Sequence, residues 1–332
     1  MHISTRIAAF SRLGAWLKSE EGREAREEWA AVAASRNGWF IPENVEASLD
    51  AISGAFLSEE SLRSWVASYP EFAPAEPKKV GLVLAGNIPA VGFHDVLSVL
   101  ISGHIALIKP SSQDDALIRF LLGKLVELEP DFAPFVLFQE RMNDADAIIA
   151  TGSDNSARYF EYYFAKKPHI IRKNRSSVSI LDGTETPEEL LALGKDITAY
   201  YGLGCRNVSK VFVPPDYDFT TFFEAVAPLE TIAHNHKYVH NYDYNKSIFL
   251  VNRTPFLDNG FLLLTESEAL VSPISVLFYE RYSDRAALEA GLPNDKIQCI
   301  AGKNFIAFGE TQTPRLWDYA DGVDTLAFLG RL

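Results

Sequence analysis

Cysteine is scarce in this chain of 332 residues: Cys205 and Cys299 are the only two, too few for a disulfide framework. Long apolar runs are also missing. No stretch approaches the roughly 18 apolar residues that would span a membrane, and Met1-His2-Ile3-Ser4-Thr5-Arg6 lacks the apolar core of a signal peptide. These absences predict a cytoplasmic protein with no membrane span. Positive charge is in short supply, with 31 Lys and Arg against 44 Asp and Glu and a net charge of −13. Nucleic acid is therefore a poor general partner, because its binding rests on neutralising phosphates. No Gly-x-Gly-x-x-Gly follows an apolar strand, so the standard dinucleotide fingerprint is absent. There is no internal repeat and no low-complexity segment. What remains, 47% hydrophobic and 23% charged, is an ordinary globular composition, long enough for about two domains.

Residues 1–76 read as helical. Ile3, Ile7, Phe10, Leu13 and Leu17 lie on one face of a first helix, and further helical segments are expected at Arg23–Ser35, Val45–Phe56 and Ser61–Ser68. Pro74-Ala75-Glu76-Pro77 then marks a turn or linker. From Lys79 the pattern changes. Val80-Gly81-Leu82-Val83-Leu84-Ala85 is continuously apolar, as in a strand buried on both faces of a parallel sheet. A helix ending at Gly103, a strand His104–Ile108, a helix near Gln113–Leu128, strands at Phe135–Phe138 and Ala147–Ala150, a helix Asn155–Ala165 and a strand Ile170–Arg172 follow. This alternation predicts an open α/β sheet. Ligands of such sheets bind beyond the C-terminal strand ends, which here carry Gly86-Asn87, Lys109-Pro110-Ser111-Ser112 and Thr151-Gly152-Ser153.

A second α/β lobe is expected after Ser176. Thr186-Pro187-Glu188-Glu189 has the form of a capping box, and Leu190, Leu193, Ile197 and Tyr201 recur at helical spacing. That helix leads to Gly202-Leu203-Gly204-Cys205, where Gly202 can take a positive φ, and a strand Val211–Val213 follows. The thiol thus sits at a helix-to-strand junction. Beyond it are expected a helix from Phe219, a strand Ser247–Val251, a hairpin at Leu257-Asp258-Asn259-Gly260 and a strand Ser275–Tyr279. The acidic tail Trp317–Asp324 reads as a docked terminal element or an oligomer contact. The expected division is 1–76 as a helical region packed on a cofactor-binding domain 77–175, followed by a catalytic domain 176–332 that includes the tail.

Asn87-Ile88-Pro89, Lys109-Pro110-Ser111, Thr151-Gly152-Ser153 and Gly204-Cys205 with Val211-Phe212-Val213 occur in an order and approximate spacing that resembles the aldehyde dehydrogenase superfamily. The chain is more similar still to LuxC-type acyl-CoA reductases, the fatty acid reductase component of bacterial bioluminescence. It looks closest to their shorter relatives, on the strength of His236-Lys237-Tyr238, Asn241–Lys246, Phe256–Phe261 and Leu316–Asp324. The similarity covers most of the chain after about residue 78. It implies an aldehyde dehydrogenase-like fold, and an enzyme that reduces a fatty acyl-CoA or acyl-carrier thioester to an aldehyde with NADPH.

By this resemblance Cys205 is the nucleophile, carrying the acyl group as a thioester that accepts hydride from a nicotinamide. Asn87 and the Cys205 N–H match the oxyanion donors. Lys109, with Ser111 beside it, matches the contact to the adenosine ribose, and Gly152 and Ser153 match the loop and helix start that approach the pyrophosphate. In NAD-preferring relatives an acidic residue stands where Ser112 is found; serine leaves room for a 2′-phosphate, which favours NADPH, with NADH as the other nicotinamide the site could take. Glu268, ahead of Ser272-Pro273, approximates the residue that holds the nicotinamide ribose. Aldehyde-oxidising relatives carry a glutamate where this chain has Ile171-Arg172-Lys173-Asn174-Arg175-Ser176, with no carboxylate. Without that general base the acyl-enzyme should resist water and survive for reduction.

Three other features require a reading. Lys166, Lys167, Arg172, Lys173 and Arg175 form a basic run that is either a solvated face or a landing site for CoA or NADPH phosphates or an acidic acyl carrier partner. His234, His236 and His240 lack a nearby cysteine, and no metal is expected there; one of them, or His94, could donate a proton. Arg206 and nearby helix N–H groups could lower the pKa of Cys205. The expected partners are an acyl-CoA substrate, an acyl carrier protein or acyl-protein synthetase, and a second copy of the chain. Two other functions stay open: a non-reductive cysteine acyltransferase or thioesterase, and a non-catalytic acyl-binding subunit of a reductase complex.

Overall fold

A computed structural model describes residues 1–69 and 76–332, so the turn expected at Pro74–Pro77 lies partly outside the described residues. The chain divides into two compact units, residues 1–174 with 314–332, and residues 175–313. The first begins with helices α1 (Ile3–Lys18), α2 (Glu20–Arg36), α3 (Pro42–Ala51), which runs into a π-turn, and α4 (Glu59–Ala67). It continues through β1 (Lys79–Val83), α5 (Phe93–Ser102), β2 (Ile105–Lys109), α6 (Ala116–Leu128), β3 (Val136–Phe138), β4 (Ala147–Thr151), α7 (Asp154–Phe164) and β5 (His169–Arg172). All five strands are parallel, in the order β3-β2-β1-β4-β5. Strand β1 is central, with Val80 opposite Ala106 on one side and Ala147 on the other. The order reverses between β1 and β4, and the strand ends flanking that switch carry the Asn87 and Gly152 loops.

One core joins the N-terminal helices to α5 and α6: Phe10, Leu13 and Leu17 pack with Val96, Leu100, Leu121 and Phe132. Gly103 ends α5 in the left-handed region, φ 89°.

The second unit holds β6 (Ser176–Ile180), α8 (Pro187–Thr198), β7 (Val208–Val213), α9 (Phe219–Val226), α10 (His236–Asn252), β8 (Leu257–Asp258), β9 (Leu263–Glu266), β10 (Val276–Arg281), α11 (Arg285–Gly291) and β11 (Ile297–Ala301). Its sheet runs β11-β6-β7-β10-β9-β8 and is parallel except for the β8–β9 hairpin. The strand expected at Ser247–Val251 is instead the last part of α10. Asn235 caps that helix through the N–H groups of Lys237 and Tyr238, and Tyr238, Tyr242 and Asn245 form its buried face. Tyr238 donates to the Phe261 carbonyl and Asn245 to that of Ile274. Packing at helical spacing outweighs a short apolar run, which by itself fits either structure.

The tail was expected with the cysteine-bearing domain. It belongs to the first unit, where it ends in α12 (Thr325–Leu329). There the Tyr319 hydroxyl accepts from Trp65 Nε1 at 2.7 Å and meets the Tyr69 hydroxyl at 2.6 Å, while Tyr69 also donates to Asp324. Arg172, at the end of β5, is buried in an ion pair with Asp95 of α5 and donates to Thr325. Breaking a buried pair of this kind leaves one charge stranded, so the three segments are strongly linked. No helix among the described residues is long and apolar enough to cross a membrane.

Candidate active site

In the second unit the sequence around Cys205 folds into a tight turn for local reasons. The Thr186 capping box starts α8 as expected, but α8 stops at Thr198 rather than reaching Tyr201. Tyr200, Tyr201 and Gly202 then take three successive left-handed conformations, φ 50°, 60° and 74°. Such a conformation costs about 1–2 kcal/mol for each non-glycine residue. Both tyrosine rings are buried, which offsets that strain. The chain reverses there and delivers Gly204-Cys205-Arg206-Asn207 to the start of β7.

Asn207 holds this turn. Its side-chain oxygen accepts from the Gly204 N–H at 2.8 Å, and its amide donates to the carbonyls of Asp196 at 2.9 Å and Ala199 at 2.8 Å. The end of α8 therefore presents carbonyl groups to the turn through Asn207. From the other side, Ser177 on β6 donates to the Cys205 carbonyl at 3.0 Å. Cys205 is half-buried; Cys299 on β11, expected in the core, is buried and lies 3.0 Å from the Ser177 hydroxyl. Asn207 was not singled out from sequence, although a Gly-x-x-Asn spacing around a cysteine is a readable turn signal. Asn207→Ala should lower unfolding stability by about 2–3 kcal/mol, since orphaned buried groups cost about 1–3 kcal/mol. Urea denaturation checks this, and an unshifted midpoint would show that the amide does not hold the turn.

Arg206, next to the thiol in sequence, is anchored to a segment distant in the chain. Its Nε donates to the Thr311 carbonyl. Asp196, which accepts from the Gly309 N–H and from both the N–H and the hydroxyl of Thr311, is held above the usual carboxylate range by burial, against the pull of those bonds and of nearby Arg206. Glu268 is exposed just beyond β9. Leu270, two residues on, accepts from Ser209 at the start of β7 at 2.6 Å, which ties the segment after Glu268 to the strand that follows Cys205.

The remaining sequence candidates lie in the first unit, on loops at the C-terminal edge of its sheet. Asn87 is half-buried after β1. Lys109 ends β2 with its Nζ 3.9 Å from Glu140, just beyond β3, a residue that sequence reasoning missed. Ser112 is exposed, whereas the Ser111 hydroxyl accepts from the Gln113 N–H at 3.2 Å. The loops after β1 and β2 touch at Gly86, where a Cβ would stand 2.6 Å from that of Ser111. Gly152 has no room for a Cβ against Ser156, and Ser153 caps α7 through the Ser156 N–H. Asn87, Lys109, Ser111, Ser112, Gly152 and Ser153 thus share one sheet edge, while Cys205 and Glu268 belong to the other unit.

Of the basic run, Lys166 is exposed, Arg172 is buried, and Lys173 pairs with Glu161 at 2.8 Å. Lys167 donates to the carbonyls of Asn143 and Ala145, and Arg175 to those of Asn294 and Ile297. His94 is half-buried between Phe56, Trp65 and Tyr319, bonds the Leu316 carbonyl, and desolvation pushes its pKa down. Among the described residues no three His, Cys, Asp or Glu side chains are grouped to hold a metal ion.

Comparison with known proteins fits these arrangements. The long-chain acyl-protein thioester reductase of Aliivibrio fischeri is 24% identical over 168 residues, 46% of this chain and 35% of that protein. Long-chain acyl-protein thioester reductase 2 of Photobacterium leiognathi is 21% identical over 195 residues, 54% of this chain and 41% of that protein. These matches thus span less than half the length of the curated relatives. Among solved structures, the NAD+ complex of an aldehyde dehydrogenase from Bacillus cereus superposes with a TM-score of 0.64 at 14% identity, covering 91% of this chain and 72% of that one. An indole-3-acetaldehyde dehydrogenase of P. syringae, complexed with NAD+ and IAA, gives 0.65 at 14% identity, again over 91% and 72%. The fold is that of the aldehyde dehydrogenases, as expected. The acyl-CoA reductase (LuxC) family profile matches residues 23–233, well over half of the chain, and the protein belongs to that family.

Proposed function

We propose that this protein reduces a fatty acyl thioester, carried on CoA or on a carrier protein, to the aldehyde with NADPH through an acyl group on Cys205. The observation that most supports this reading is the cysteine turn itself. A half-buried thiol is held between β6 and α8 by Asn207 and Ser177, in a chain of a reductase family. The second unit is assigned the acyl chemistry and the first the nucleotide.

Cys205 Sγ forms a bond to the acyl carbon, and the bond from that carbon to the thiol of CoA or carrier breaks, releasing the carrier thiolate. Asn87 and the Cys205 N–H are assigned to the oxyanion that develops. A bound nicotinamide supplies the hydride. Collapse of the second oxyanion then expels the Cys205 thiolate with the aldehyde. In the stretch 171–176, where oxidising relatives place a glutamate, this chain has no carboxylate to activate water, so the thioester persists.

The first unit's residues fit a dinucleotide. The strand-order switch between β1 and β4 is where ligands of open α/β sheets bind. The bare backbone at Gly152 and the start of α7 suit a pyrophosphate. Lys109 and exposed Ser112 would hold the adenosine ribose. The preference for NADPH rests on Ser112 standing where NAD-preferring relatives carry an acidic residue; Asp114 and Asp115, which share one small cavity with Ser112 and Arg36, and Glu140 beside Lys109 oppose it. The decisive experiment is mass spectrometry of the protein after mixing with a fatty acyl-CoA, followed by NADPH or NADH. The expected result is an acyl adduct on Cys205 that disappears with aldehyde release, faster with NADPH. An adduct discharged only to thiols or water indicates an acyltransferase or thioesterase, and acyl binding without an adduct indicates a binding subunit.

A further inference from the structure

The loop that carries Asn87 is held by a residue that no motif marked. Ala90, three residues after Asn87, is a non-glycine residue with φ 54° and is buried. A backbone in that region persists only where its surroundings over-determine it. Three contacts do so here. Gly86 packs against the Cβ of Ser111, and Ser48 of α3 donates to the Pro89 carbonyl at 2.6 Å. The Ala90 N–H donates to Asp114 Oδ2 at 2.6 Å. Asp114 is 4% exposed, and its other oxygen accepts from the Leu117 N–H at 3.3 Å in the first turn of α6. Its own N–H donates to the Ser111 carbonyl at 3.1 Å. One buried aspartate therefore joins the Asn87 loop and the start of α6 through its carboxylate and the Ser111 turn after β2 through its N–H.

We infer that Asp114 is a positioning residue for acyl transfer: it clamps the Asn87 loop through the Ala90 N–H and couples that loop to the Lys109–Ser112 turn. The inference rests on the proposed role of Asn87. Catalysis is sensitive to such placement, since a displacement of about 1 Å can cost about 10²-fold in rate.

Burial, with a smaller push from neighbouring Asp115, raises the Asp114 pKa to about 6 against the pull of its two N–H bonds. Arg36 of α2 and Arg119 of α6, the nearby cations, are engaged by Asp115 at 3.8 and 2.7 Å. The folded value lies above the ordinary one of 3.8. This group's contribution to stability is therefore fully present below about pH 4 and lost as pH rises through about 6. The ionised clamp that accepts both N–H groups at neutral pH is held against that loss.

The test uses the full chain, a fatty acyl-CoA and two readouts. The first is hydrogen exchange of residues 86–93, expected to accelerate at least tenfold in Asp114→Ala. The second is the rate of Cys205 acylation. It should fall about tenfold in Asp114→Ala and less in Asp114→Asn, which keeps one acceptor oxygen. In an Asn87→Ala background the same Asp114 substitution should change the rate less than twofold, because it acts through Asn87. Wild-type acylation should decline below about pH 6 by a step that Asp114→Asn lacks. Equal tenfold losses in both backgrounds, or unchanged exchange, would overturn the inference. If wild type forms no adduct, the functional reading fails separately, and exchange of 86–93 alone decides whether Asp114 is the clamp.

Discussion

Cys205→Ala should form no acyl adduct and release no aldehyde, while unfolding within about 1 kcal/mol of wild type. The loss should be complete, because thioester exchange needs a nucleophile at that position and no second thiol is placed to substitute. Cys299 is buried on β11 with its sulfur against the Ser177 hydroxyl. The bond from the Gly204 N–H to Asn207 and the bond from Ser177 to the Cys205 carbonyl do not involve the thiol, and alanine keeps both. The small stability change follows from removing one half-buried sulfur while these two bonds stay in place. Cys299→Ala is the matched control and should keep the adduct. An adduct that survives in Cys205→Ala, or moves to Cys299, would sink the assignment.

Asn87→Ala should slow acylation of Cys205 by about 10²–10³-fold, the usual effect of losing one oxyanion donor. The substitution should leave the fold in place, because the contacts of Gly86, Pro89 and Ala90 with Ser111, Ser48 and Asp114 all remain. Asn87→Asp should be at least as slow, since it brings a negative charge to the place where negative charge develops. The measurement is single-turnover acylation by quenched mass spectrometry at saturating acyl-CoA, which separates the chemical step from binding. A rate within twofold of wild type would remove Asn87 from the mechanism.

Much of the fold was readable because its strands are buried on both faces. Such strands appear as continuous apolar runs with glycine or proline at their ends, and β1, β2 and β4 all do. The cysteine junction was readable too, since a capping box, a helical repeat and a Gly-x-Gly sit together in one local stretch. The short run Ile248–Val251 misled because four apolar residues fit a strand or a helix. The buried side of α10 was decided by Phe261 and Ile274, residues distant in sequence. The partners within the basic run were hidden for a similar reason: Asp95, Glu161 and four backbone carbonyls, which bind Arg172, Lys173, Lys167 and Arg175, come from other segments.

By itself, the sequence determined the α/β class, the parallel order of strand and helix, and the residue types at the strand ends, because these follow from local periodicity and turn chemistry. The tertiary structure alone decided that the tail joins the first unit through Tyr319 and Asp324, that Asn207 bridges α8 to the cysteine turn, and that Asp114 holds Ala90. Each of those is a buried polar group satisfied by a partner outside its own local pattern. Such a partner is chosen by how the elements pack, and no periodicity encodes it.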